Sequence, residues 1–144
     1  MPQLSNNESR GFTHYFRITG TELATTGYLT STEKLIFKLP PGAIITNAAV
    51  FVQTALAGAT DITISVGSIT GTATNLIASI DLDALTKVTY NTGSAIDTEP
   101  GLVNNTTSAV DIFARFGGTP STLTAGDFTI GLTVLDLGGI ASNA

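Results

Sequence analysis

Asp61-Ile62-Thr63-Ile64-Ser65-Val66-Gly67 alternates apolar and polar side chains without a break. Successive side chains of an extended chain point to opposite sides, so Ile62, Ile64 and Val66 share one face while Thr63 and Ser65 share the other. That is a strand with one wet face. Its β-branched residues lose side-chain freedom on a helix and suit a pleated sheet. The same pattern recurs on both sides of it. Upstream, Phe12, His14, Phe16 and Ile18 alternate with polar neighbours; Glu33 to Leu39 (EKLIFKL) sets Leu35, Phe37 and Leu39 against Lys34, Ile36 and Lys38; and Ile44 to Thr54 sets Val50 and Val52 against Ala49, Phe51 and Gln53. Downstream follow Leu76 to Leu82, then Lys87 to Asn91 with Val88 and Tyr90. Ala109 to Phe116 (AVDIFARF) supplies Val110, Ile112, Ala114 and Phe116, and Asp127 to Leu137 (DFTIGLTVLDL) supplies Phe128, Ile130, Leu132 and Val134.

These segments are punctuated by turn residues. Pro40-Pro41-Gly42 must turn, because proline fixes φ and lacks a donor while glycine accepts positive φ. Residues 20 to 32, rich in Thr, Gly and Ser, read as a loop. The reading is about eight strands and no convincing helix beyond a single turn over Asp81 to Leu85. Short strands at this spacing specify an all-β, single-domain antiparallel β-sandwich, jelly-roll-like, with a closed barrel as the alternative. Residues 1–10 read as an extended N-terminal arm, 11–138 as the sandwich and 139–144 as a C-terminal tail.

Composition narrows the function. The chain has 144 residues, of which 12% are charged and 25 are threonine, where ordinary domains carry roughly 25% charged residues. The net charge is -5, which argues against a nucleic-acid groove or an anionic membrane surface as partner. The first 38 residues nevertheless carry four basic side chains (Arg10, Arg17, Lys34, Lys38) against three acids (Glu8, Glu22, Glu33). There is no cysteine, so thiolate metal sites, disulfides and a Cys nucleophile are absent. Met1 to Arg10 lacks the basic-then-apolar order of a signal peptide, and no apolar run is long enough for a membrane-spanning helix, so synthesis in the cytoplasm is expected.

No catalytic constellation emerges. His14, the single histidine, alternates with Phe12 and Phe16 and reads as a packed or interface residue rather than a general base. None of the three lysines follows a glycine as in a phosphate loop. Asp81 with Asp83, and Asp97 with Glu99, are spaced two apart and are the remaining candidates for a carboxylate pair or a Ca²⁺ site, against the plainer reading of solvated turn acids. The expectation is a non-enzymatic protein with no cofactor and no small-molecule substrate.

Two strands look apolar on both sides. Phe113 lies opposite Ile112, and the final strand carries Leu135 and Leu137 beside Val134. A two-layer sandwich buries one face per sheet, so these side chains call for a further cover, either another copy of the chain or, for Phe113, a loop of its own chain. Phe113, Leu135 and Leu137 are the candidate oligomer interface. Pro2, Gln3, Leu4 and Arg10 are the candidate contacts of an arm that a small domain cannot cover alone.

Leu39-Pro40-Pro41-Gly42-Ala43-Ile44 leading into a Val-rich strand, the Asp61 to Gly67 strand, and Leu123-Thr-Ala-Gly-Asp-Phe-Thr-Ile-Gly-Leu-Thr-Val134 together resemble the small head decoration (cement) proteins of tailed bacteriophages. The resemblance spans roughly residues 15 to 137. This chain departs from the pattern in a longer acidic loop, Asp97 to Asn105. The resemblance implies a β-sandwich or jelly-roll protomer, commonly trimeric, that sits on the outer surface of the head. There it would contact the major capsid protein and bridge capsomers. A receptor- or carbohydrate-binding module of a tail fibre or spike is the second reading, weakened by the absence of Trp and the presence of just three Tyr.

Overall fold

The computed structural model describes residues 12–69, 73–83, 88–97 and 101–136. They form two antiparallel sheets packed face to face. Nine strands are present among the described residues: β1 (His14–Thr19), β2 (Glu33–Leu39), β3 (Ala43–Ala57), β4 (Thr63–Gly67), β5 (Ile77–Asp81), β6 (Val88–Tyr90), β7 (Leu102–Val103), β8 (Val110–Gly117) and β9 (Ala125–Asp136). The first sheet, sheet A, runs β1-β9-β3-β6, and the two-residue β7 also pairs with β3. Sheet B runs β2-β8-β4-β5. The sandwich predicted from the alternation is therefore the fold observed.

The core lies between the sheets. Ile62, Ile64 and Val66 are fully buried, as are Ile112 and Ala114 on β8 and Phe128, Ile130 and Leu132 on β9. Val50 and Val52 point inward from β3 while Phe51 points out. Phe116 from sheet B meets Phe128 from sheet A with ring centroids 6.0 Å apart. The strand faces follow the sequence alternation wherever the ladder is regular.

Two expectations fail for local reasons. Leu35, Phe37 and Leu39 do not share a face, because a bulge at Ile36 shifts the β2–β8 register between Leu35 and Phe37. One inserted residue reverses the sidedness of everything beyond it. Leu35 thus pairs with Phe113 and stands exposed, while Phe37 pairs with Ile112 and packs against Phe16 and His14. Phe12 also departs from the inward set, since it precedes β1 and lies on the outer side of sheet A, as described below.

The loops hold more structure than their composition suggests. Residues 20–32 begin with a four-residue helix, α1 (Gly20–Leu23), closed by a reciprocal cap: Thr19 Oγ1 accepts from the Glu22 amide and Glu22 Oε1 accepts from the Thr19 amide, each at 3.1 Å. A second short helix, α2 (Ser94–Asp97), and a 3₁₀ turn over Pro120–Thr122 complete the helical content described. Of the turn predicted over Asp81 to Leu85, Asp81 closes β5, Leu82 and Asp83 are non-helical, and the rest lies outside the described residues. β7 occupies the stretch read as an acidic loop.

The Pro40-Pro41-Gly42 turn forms as expected, with Gly42 at φ 79° and the Ala43 amide donating to Pro40 O at 3.1 Å. Asn104 locks it from beneath. This side chain is 1% exposed, donates to Leu39 O and Ser108 O at 2.8 Å each, and accepts from the Thr106 amide and hydroxyl at 3.0 and 2.7 Å. Its backbone accepts from the Gly42 amide and donates to Ala43 O.

Candidate functional site

The two outer faces of the sandwich differ in chemistry. The strands of sheet B carry Glu33, Lys34, Lys38, Asp81, Asp111 and Arg115. These groups pair across strands: Lys38 Nζ donates to Asp111 at 2.8 Å, and Arg115 lies 3.8 Å from Glu33. Besides His14, the described strands of sheet A carry three acidic or basic side chains, Arg17, Asp127 and Asp136. Arg17 neutralises Asp127 through its Nε and Nη2. Sheet A therefore presents little net charge to solvent.

What it presents instead is apolar. Of the seven large hydrophobic side chains exposed among the described residues, five (Tyr15, Phe51, Tyr90, Val103 and Leu135) belong to sheet A. The register puts them on one surface. Tyr15, Gly131, Ala49 and Tyr90 form one row across β1, β9, β3 and β6, and Arg17, Thr129 and Phe51 form the next. Leu135, Ile44 and Val103 form a third row toward the other end.

Phe12 completes this surface. Its ring lies 6.2 Å from Tyr15 and 6.1 Å from Tyr90, edge-on to the latter. Gly131 makes room for it, since a Cβ there would sit 3.0 Å from the Phe12 ring. The neighbouring polar groups are tied to one another. Tyr90 Oη and Asn91 Nδ2 both donate to Asn47 Oδ1, at 2.6 and 3.0 Å, and Gln53 Nε2 donates to Thr129 Oγ1 at 2.7 Å. The surface is thus a firm aromatic and aliphatic plate with few unspent polar groups.

The residues proposed from sequence as one interface do not lie together. Leu135 is on the outer side of sheet A, whereas Phe113 is half-buried on the outer side of sheet B beside Leu35. Leu137, and the arm positions Pro2, Gln3, Leu4 and Arg10, lie outside the described residues. His14 is half-buried, its ring centroid 4.8 Å from that of Phe37 and its Nδ1 2.8 Å from Thr13 Oγ1.

The carboxylate candidates reduce to one described pair. Asp83 shares a proton-dependent hydrogen bond with Asp81, and this contact, with a lesser contribution from desolvation and from the Asp81 charge, raises the Asp83 pKa above its ordinary value despite opposing donation from the Asp61 and Ile62 amides. No group of three His, Asp or Glu side chains comes together among the described residues. Glu99 lies outside them. Because the folded state holds this proton more tightly, the pair's contribution is present below the ordinary carboxylate range and fades as pH rises through the raised value. Asp83→Asn should therefore flatten the fall in stability across that interval, seen as urea midpoints that no longer decline with pH; an unchanged decline would place its origin elsewhere.

One surface depression, of about 470 Å³, is lined by Gly58, Ala59, Thr60, Thr119 and Thr122. Another, of about 340 Å³, surrounds Arg17 and Asp127. Neither is lined by Asp81 or Asp83.

The sequence matches no protein-family description and no characterised protein. The fold does have a counterpart. A chain of the structure titled "Cyanophage Pam1 capsid asymmetric unit" superposes with a TM-score of 0.55 at 18% identity. The match covers 93% of this chain and 98% of the capsid chain, so both sheets are shared rather than one hairpin or one layer. At that identity the likeness to the Pam1 chain is one of fold.

Proposed function

We propose that this chain is a structural virion protein, a decoration or cement protein that binds the outer surface of a phage head and stabilises contacts between coat-protein capsomers. The observation that carries the reading is the end-to-end likeness to a chain of a phage capsid asymmetric unit. The strand order supports it as well. β1, β9, β3 and β6 of one sheet match β2, β8, β4 and β5 of the other, so each position matches strands adjacent in sequence; this order supports reading the sandwich as jelly-roll-like, an architecture common in viral shells. The role is non-enzymatic, and the protomer acts as a homotrimer in contact with the major capsid protein. Many weak contacts repeated over a shell add up by multivalency, so no deep pocket is required.

The test is the copy number of this chain relative to the major coat protein in purified particles, by quantitative mass spectrometry. A ratio near one per coat subunit fits a shell-wide decorating component. A ratio of a few per cent would move the protein to the tail or neck and make receptor or carbohydrate binding the leading reading. Absence from particles would overturn both.

The arm supplies a second prediction. Deleting residues 2–10 should lower head occupancy while leaving the melting temperature of the isolated protein unchanged, because the described sandwich is closed without them. Unaltered occupancy would remove the arm from the binding surface.

A further inference from the structure

We infer that the outer face of sheet B carries a binding site for a single saccharide unit, in a depression where β8, β4 and β5 run side by side; the inference is independent of the decoration reading. The depression has a volume of about 300 Å³, and its lining includes Thr63, Ser65, Ser79, Arg115 and Gly117. Strand register brings them together. Glu33, Arg115 and Ser65 follow one another across β2, β8 and β4, and Gly117, Thr63 and Asp81 form the neighbouring row across β8, β4 and β5.

Ser65 is the residue that points to a ligand. It stands on the outer side of β4, because Ile64 and Val66 take the core side, yet it is 5% exposed. A buried hydroxyl ordinarily has a hydrogen-bond partner. That of Ser65 forms no hydrogen bond among the described residues and faces the depression it lines. Its neighbours are open too. Arg115 Nη1 lies 3.8 Å from Glu33 Oε2, beyond hydrogen-bond length, so the guanidinium donors are not consumed by the ion pair. Gly117 keeps the Thr63 hydroxyl uncovered, since a Cβ there would sit 2.5 Å from Thr63 Oγ1.

Charge selects the class of ligand. An anion drawn to Arg115 would also face Glu33, its ion-pair partner, and Asp81, opposite Thr63; a cation would face Arg115 itself. A neutral ligand that both donates and accepts suits one guanidinium, the hydroxyls of Thr63, Ser65 and Ser79, and flanking carboxylates. Sugar hydroxyls do both. One row along β8, about 7 Å away, half-buried Phe113 beside Leu35 offers an apolar surface to the C–H face of a sugar ring. The volume stands at the lower end of the range for ligand pockets, about 300–1,000 Å³, which favours one ring over an extended chain.

The experiment titrates the isotope-labelled full chain with D-glucose, D-galactose, D-mannose and N-acetyl-D-glucosamine in turn, and with sodium sulfate as the anion control, following amide signals by NMR. The expected result is saturable shifts of the Thr63, Ser65, Arg115 and Gly117 amides with at least one sugar and none with sulfate. Ser65→Ala should weaken that binding by about two- to tenfold, the worth of one hydrogen bond, without lowering the urea midpoint, because the hydroxyl supports nothing within the fold. Ser65→Val fills the depression and should abolish binding. Lys38→Met, on the same sheet but outside the depression, should bind as wild type. Silence from every sugar would overturn the site. Shifts of these amides by sulfate would make it an anion site and overturn the saccharide assignment. A Ser65→Ala midpoint clearly below wild type would give the hydroxyl a partner within the fold, and equal loss of binding in Lys38→Met would trace the effect to the charge of the whole face; either result also overturns it. The decoration reading stands or falls separately, on copy number in particles.

Discussion

Asn104→Leu is expected to destabilise the fold by about 3 kcal/mol and to lower the melting temperature by roughly 10 °C. Leucine is similar in size, so the loss comes from the partners left behind. Leu39 O loses the donation of Asn104 Nδ2 and the Thr106 amide loses its acceptor, while Ser108 O and the Thr106 hydroxyl lose Asn104 but keep each other. A buried polar group without a partner costs its full desolvation. Asn104→Asp should be at least as damaging, since a carboxylate keeps the acceptor for Thr106 but turns a negative charge toward two carbonyl oxygens. Thr106→Val removes one hydroxyl and should cost a fraction of this. Thermal and urea melts of the three variants test the ranking; an unchanged Asn104→Leu midpoint would mean that water reaches those carbonyls.

Truncating the aromatic contact between the sheets should cost a similar or larger amount. Phe116→Ala and Phe128→Ala each remove a large side chain from a fully enclosed site and should destabilise by about 3–5 kcal/mol. Against a total stability of about 5–15 kcal/mol for a domain, either leaves a thin margin. The two rings lie 6.0 Å apart at 56°, so the double variant should cost less than the two singles together by about 0.5–1.5 kcal/mol. Strict additivity in urea titrations would mean that each ring packs on its own sheet and contributes nothing to holding the layers together.

The alternating segments were legible because side-chain sidedness is a local property. Ile62, Ile64 and Val66 all point where the sequence puts them, as do Val50, Val52, Ile112 and Ile130. The bulge at Ile36 was not legible, because an extra residue is specified by the partner strand's register and leaves no mark in EKLIFKL itself. The cap of α1 did leave a mark: Thr19-Gly20-Thr21-Glu22 is the Thr-x-x-Glu signature of a helix start, obscured by the surrounding Thr and Gly. Asn104 was visible merely as one of a pair of asparagines, since its importance depends on the carbonyls of Leu39 and Ser108, one of them 65 residues away.

The candidate interface was half legible for the same reason. Sequence identified Phe113 and Leu135 as apolar side chains on the wrong side of their strands. It could not show that β8 and β9 belong to different sheets, which sends the two in opposite directions. Tyr15, Phe51 and Tyr90 were overlooked as a group because they come from three separate strands that only the pairing order of sheet A brings into line.

That pairing order also dictates when the molecule can form. β9 sits between β1 and β3, so the edge of β1 finds its hydrogen-bonding partner in residues 127–132, more than a hundred positions later. While the ribosome is still making the middle of the chain, β1 has no sheet to join and its inward Phe16 and Ile18 lack the β9 neighbours that would cover them. Closure of sheet A therefore waits for translation of β9, and chains that stall before it remain open, with an unpaired edge available for aggregation.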